Sequence, residues 1–128
     1  MFDNIDAIAT VAVRDLDAAR RFYEQTLGLR PVDSEGTEVI VYRAGKSSLN
    51  VYRSQFAATN KATAVTWNVG NAIDDLVAKL KTKGVRFEHY DMPGISRQGD
   101  LHVCGAMKVA WFKDPDGNIL NLHNGGKS

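Results

Sequence analysis

Apolar residues along this chain fall into short blocks, and the order of the blocks repeats. Residues 6–13, DAIATVAV, are rich in β-branched side chains and predict a strand. Asp15 then stands as an N-cap before LDAARRFYEQTL, in which Leu16, Ala19, Phe22, Tyr23 and Thr26 share one face at helical spacing. Gly28 falls where a left-handed residue commonly stops a helix. Two strands follow, TEVIVYRA (37–44) and SSLNVYRS (47–54), with Gly45 in the turn between them. The second half begins again with the strand TAVTWNV (63–69). Asn71 is then placed to cap the helix AIDDLVAKLKTK, which ends at Gly84.

A shift of 56 residues lays Val13 on Val69 and Gly28 on Gly84, and a shift of 71 lays Leu49-Asn50-Val51-Tyr52 on Leu120-Asn121-Leu122-His123. Two ordered matches of equal strand parity point to a duplication. The larger shift puts an insertion after Gly84. HYDMPGISRQGDLHVCG, residues 89–105, carries Pro93, Gly94, Gly99 and Gly105 and reads largely as loop. The expectation is one domain over 1–128, made of module 1 (5–54) and module 2 (62–124), with an inserted loop at about 89–105.

Side chains alternate along a strand, so parity sorts the residues by face. Ala9, Val11 and Val13 suit the helix side, leaving Ile8, Thr10, Ala12 and Arg14 opposite. Val65, Trp67 and Val69 likewise leave Ala64, Thr66 and Asn68. In the closing strands Leu49, Val51, Leu120 and Leu122 belong to the core, which aims Asn50, Tyr52, Asn121 and His123 the other way. Eight strands in two related sheets, each backed by a helix, predict an α+β protein with a small-molecule cleft.

Composition narrows the function classes. Sixteen Lys and Arg against fifteen Asp and Glu give a formal charge of +1, which offers no field for nucleic acid or an anionic membrane. The one cysteine, Cys104, forms no internal disulfide, no apolar run approaches a membrane span, and the first residues lack a signal-peptide pattern. A cytoplasmic protein is expected.

VAVRDLDAARRFYEQTLGL near the start and WFKDPDGNIL near the end resemble the two signatures of the vicinal oxygen chelate superfamily, which includes glyoxalase I, extradiol dioxygenases, fosfomycin resistance enzymes and bleomycin resistance proteins. The resemblance covers the whole chain. It implies paired βαβββ modules forming a curved sheet around a cleft, and commonly a homodimer. Metal-dependent members take His, Gln or Glu ligands from four strand positions. Carried over one by one, these fall on Ile8, Asn50, Ala64 and Asn121. Two apolar residues and two neutral amides supply no charge for a divalent ion. No metal and no cofactor are therefore expected.

The ligand-binding candidates are Thr10, Asn50, Tyr52, Thr66, Asn68, Tyr90, Asn121 and His123, and the expected function is metal-free binding or sequestration of an aromatic or polycyclic small molecule. Tyr52 and Tyr90 offer a flat face with a polar handle. The alternative is an enzyme, a glyoxalase-like lyase, isomerase or dioxygenase, with His123 as general base or with a relocated metal drawn from His89, Asp100, His102, Cys104 and His123. Trp67 is placed under a helix by parity, while Trp111 suits either the core or the cleft wall, with the core preferred. Asp114, Pro115, Asp116 and Gly117 read as turn chemistry rather than catalysis. Arg14, Arg43 and Arg53 stand at strand ends where an anionic ligand would meet them.

Overall fold

The computed structural model describes residues 1–35 and 38–125, apart from the side chains of 33–35. Thr37, where a strand is expected to begin, lies outside the described residues. The chain divides into two compact units, 1–60 and 61–128.

In the first unit β1 (Ala9–Val13) leads into α1 (Leu16–Arg20), which continues as a π-helical stretch over Arg21–Thr26. Asp15 is the N-cap, its Oδ1 accepting from the N–H groups of Asp17 and Ala18 at 2.9 and 3.2 Å. Gly28 adopts φ +76° just past the helix, a conformation that costs glycine little. Strands β2 (Arg30–Glu35), β3 (Val39–Ala44) and β4 (Ser47–Arg53) complete a four-stranded sheet in the order β1-β4-β3-β2, with β1 and β4 parallel. Val11, Val13, Ile40, Tyr42, Leu49 and Val51 are all buried on the helix side. Tyr23 stacks on Tyr42 with ring centroids 6.0 Å apart, and the Tyr42 hydroxyl donates to Glu24 Oε2 at 2.8 Å. Burial first, and the Glu24 carboxylate second, push the Tyr42 phenol well above its ordinary range.

Strand β2 is not apparent from the pattern of RPVDSE. Pro31 and the polar residues argue against a central strand, and the structure reconciles them by placing β2 at the sheet edge, with a register shift between Pro31 and Asp33.

The second unit begins with β5 (Thr63–Asn68), then a 3₁₀ turn at Gly70–Ala72 and α2 (Ile73–Thr82). Asn71 is not the cap. The residue before α2 is Ala72, which makes no side-chain cap bond, and the nearest capping interaction is Gly70 N–H donating to Asn68 Oδ1 at 3.1 Å. Strands β6 (Phe87–Glu88), β7 (Ser96–Gln98), β8 (Leu101–Cys104), β9 (Met107–Lys113) and β10 (Ile119–His123) follow. The sheet runs β5-β10-β9-β8-β7, with β6 also on β9. The segment expected to be largely loop thus holds a hairpin: β7 and β8 pair Ser96 with Val103 across Gly99, which sits at φ +63°. Its glycines mark turns between short strands.

Phe87, Ala110, Phe112, Leu120 and Leu122 are buried on one face of this sheet. Lys108, which shares the parity of Ala110 and Phe112, reaches Asp74 at the start of α2 at 3.0 Å, so this is the face that α2 backs. The Asp114-Pro115-Asp116-Gly117 turn is held as turn chemistry predicts: buried Asp114 accepts from the N–H groups of Asp116 and Asn118 and from the Asn118 amide. Among the described residues no helix is long and apolar enough to cross a membrane.

Candidate functional site

Register places the candidates. In the first sheet Thr10 lies opposite Asn50 and Ala12 opposite Tyr52, all on the face away from α1, where Val41 lies opposite Asn50 across β3. This face is open: Thr10 and Tyr52 are exposed and Asn50 is half-buried. Beyond its end, Arg14, Arg53, Ser54, Gln55 and Glu38 line a depression of about 410 Å³. Arg53, one of the three arginines expected to meet an anion, spends its guanidinium on Glu38 through contacts of 2.9 and 3.1 Å.

In the second sheet Thr66 lies opposite Asn121, Asn68 opposite His123, and Trp111 opposite Asn121 on the other side. All five project away from α2. Trp111 is therefore not a core residue under the helix. Its indole is half-buried on the candidate face, donating from Nε1 to Thr63 Oγ1 at 3.1 Å. The run Val109-Ala110-Trp111-Phe112 is apolar on both parities, so alternation cannot assign it from sequence. Trp67, by contrast, lies opposite Leu122 on the α2 side, as parity predicts.

Tyr90 joins this face. Its ring meets Trp111 edge to face at 5.3 Å and stacks on His102 at 6.1 Å, while His102 meets Trp111 at 4.9 Å. Beside these rings, Asn121 is only 9% exposed and its Oδ1 is buried with no hydrogen-bond partner among the described residues. A buried acceptor left unpaired costs about 1–3 kcal/mol.

The three imidazoles differ in what occupies their nitrogens. His102, 2% exposed, accepts the Tyr90 N–H at Nε2 (2.9 Å), which places its proton on Nδ1, 3.3 Å from the Val109 carbonyl oxygen. It is a structural group with no nitrogen left for a metal. His123 accepts the Gly125 N–H at Nδ1 at 2.9 Å, so the neutral ring carries its proton on Nε2. His89 Nε2 lies 2.8 Å from Asp100 Oδ1, and Asp100 Oδ2 lies 2.8 Å from Lys81 Nζ. Lys81, and then His89, hold the Asp100 carboxyl below its usual range.

The four positions that the resemblance assigns to a metal do not fit one. Ile8 is hydrocarbon and 52% exposed, Ala64 has no donor, and Asn50 and Asn121 are neutral amides. Relocation finds no better set: among the described residues no three His, Cys, Asp or Glu side chains gather where they could hold a metal ion, and Cys104 is exposed.

Against known proteins, a family model described as Glyoxalase/Bleomycin resistance protein/Dioxygenase superfamily matches residues 4–122. Virulence protein STM3117 of Salmonella typhimurium (strain LT2) is 23% identical over 128 residues, spanning 95% of this chain and 84% of that one. Among solved structures, a lactoylglutathione lyase from Agrobacterium tumefaciens superposes with a TM-score of 0.73 at 18% identity, covering 96% of this chain and 95% of that one. The fosfomycin resistance protein FosX from Listeria monocytogenes gives 0.75 at 16% identity, covering 98% and 93%. At such identities the structural likenesses speak for the fold alone. With nearly its whole length matched by the family model, this chain belongs to the glyoxalase/bleomycin resistance protein/dioxygenase superfamily.

Proposed function

We propose that the protein is a metal-free member of its superfamily that binds and sequesters a small aromatic molecule carrying a hydrogen-bond donor. One observation carries the reading: the buried Asn121 Oδ1, unpaired among the described residues and next to Trp111 in register. Buried acceptors are almost always satisfied, and one kept open beside aromatic rings is what a ligand N–H or O–H would complete. Tyr90 and Trp111 supply flat apolar surface, Thr66 and Asn68 add polar groups on the same face, and His123 presents Nε2–H as a donor. Thr10, Asn50 and Tyr52 form the corresponding set on the first sheet's own face. A homodimer and a cytoplasmic location belong to the same reading.

The alternative in which His123 serves as a general base finds no support in its hydrogen bonding, because the lone pair a base needs is engaged by the Gly125 N–H. The test is a titration of tryptophan emission in a Trp67→Phe background, with a chelator present. A panel of small aromatic amides, phenols and amines is added. Saturable quenching of the one remaining tryptophan, Trp111, by one class, weakened in Asn121→Leu, is the expected result. Quenching that needs an added divalent metal would overturn the proposal.

A further inference from the structure

The geometry points to His89 as a general base, oriented by Asp100 and competent to activate water against small carboxylic esters and thioesters. Three elements converge on it: His89 follows β6, Asp100 sits in the turn between β7 and β8, and Lys81 projects from α2. Asp100, 14% exposed and kept ionised by Lys81, can only accept, so the His89 Nε2 must donate. The neutral ring then carries its lone pair on Nδ1. Among the described residues Nδ1 has no partner, and the His89 side chain is 40% exposed, open to water and to a substrate. His102 and His123 each spend their acceptor nitrogen on a backbone N–H. His89 alone of the three combines a fixed proton with a free lone pair, the pairing that general-base catalysis requires. The groups facing the imidazole are Asp100, through it Lys81, and the His102 ring at 6.4 Å.

In the step, a water proton passes to Nδ1 as the water oxygen bonds to the acyl carbon. The ester C–O bond, or the thioester C–S bond, breaks with its electron pair leaving on the oxygen or sulfur, which takes the proton back from the imidazolium and restores the neutral ring. The products are a carboxylic acid and the alcohol or thiol. Asp100 is a positioning residue that fixes the ring and balances the imidazolium.

The probe is 4-nitrophenyl acetate, with release of 4-nitrophenolate followed across pH in a Cys104→Ser background, since that exposed thiol would also react with the ester. The expected rate exceeds that of equimolar free imidazole by at least about tenfold. His89→Gln, whose amide can still reach Asp100, should remove that excess together with its pH inflection. Asp100→Asn should slow the reaction several-fold alone and not at all when combined with His89→Gln. A wild-type rate no greater than that of imidazole, an unchanged rate in His89→Gln, or additive losses in the double variant would overturn the inference. 4-Nitrophenyl acetate is itself aromatic, so the rates are repeated with the aliphatic S-ethyl thioacetate, its thiol release followed with a disulfide reagent, and the same His89 dependence there makes the outcome independent of the binding proposal.

Discussion

In the first sheet Thr10 lies opposite Asn50, and in the second Thr66 lies opposite Asn121, both across a parallel pair of strands. The backbone arrangement is the same, yet the two asparagines live differently. Asn50 is half-buried, with Val41 as its neighbour on the next strand. Asn121 is buried, has Trp111 as its neighbour, and leaves Oδ1 without a partner among the described residues. A large ring on the adjoining strand thus accompanies the change from a half-buried amide to a buried one whose Oδ1 is unpaired among the described residues. Where a superfamily scaffold offers equivalent positions, the strand next door decides which of them becomes demanding.

The largest expected effect separates the two faces of the second sheet. Phe112→Ala on the α2 side should destabilise by about 3–5 kcal/mol in chemical denaturation, since it opens a cavity beside Phe87. Trp111→Leu on the candidate face should cost clearly less. Equal losses would mean that Trp111 is a core residue after all.

A smaller effect separates the two sheets. Asn121→Leu removes an unsatisfied buried acceptor and should raise stability by about 1–2 kcal/mol, whereas Asn50→Leu should stay within about 0.5 kcal/mol. Thermal melts of the two variants measure this, and loss of stability in Asn121→Leu would show that its amide is already satisfied. Stability gained by removing a polar group is the usual mark of a site kept for binding.

The smallest effect concerns the Asp100 bridge, which has no counterpart among the described ion pairs of the first unit. Asp100 titrates lower in the folded protein than its ordinary value of about 3.9, so folding favours its charged form. Its contribution is complete above about pH 4 and fades as pH falls through the lower folded value. Asp100→Asn should therefore cost up to about 1 kcal/mol at neutral pH, with the difference closing in acid. A gap that widens as pH drops would contradict the assignment.

Much of this fold can be read from the residues. Alternation placed Val11, Leu49, Leu120 and Trp67 on the helix sides, and Asp15 and Gly28 marked the limits of the first helical segment. Edge strand β2 escaped because Pro31 and its polar neighbours carry no alternation, and the β7–β8 hairpin escaped because its glycines resemble a loop. The face that carries the candidates was legible as far as parity reached, to Thr66, Asn121 and His123. Trp111 was hidden by an apolar run on both faces. The partners of His89, His102 and His123 come from long-range packing or from backbone N–H groups, to which residue patterns give no access.

The central claim is a metal-free ligand site completed by Asn121. It is tested most directly by titrating Trp111 emission in chelator, in the Trp67→Phe background, with wild-type Asn121, Asn121→Leu and Asn50→Leu compared side by side. The account predicts saturable quenching by an aromatic donor that weakens at least tenfold, or about 1.4 kcal/mol, in Asn121→Leu. Asn50→Leu should weaken it less. Undiminished binding in Asn121→Leu, or binding that appears only when a divalent metal is supplied, would contradict it.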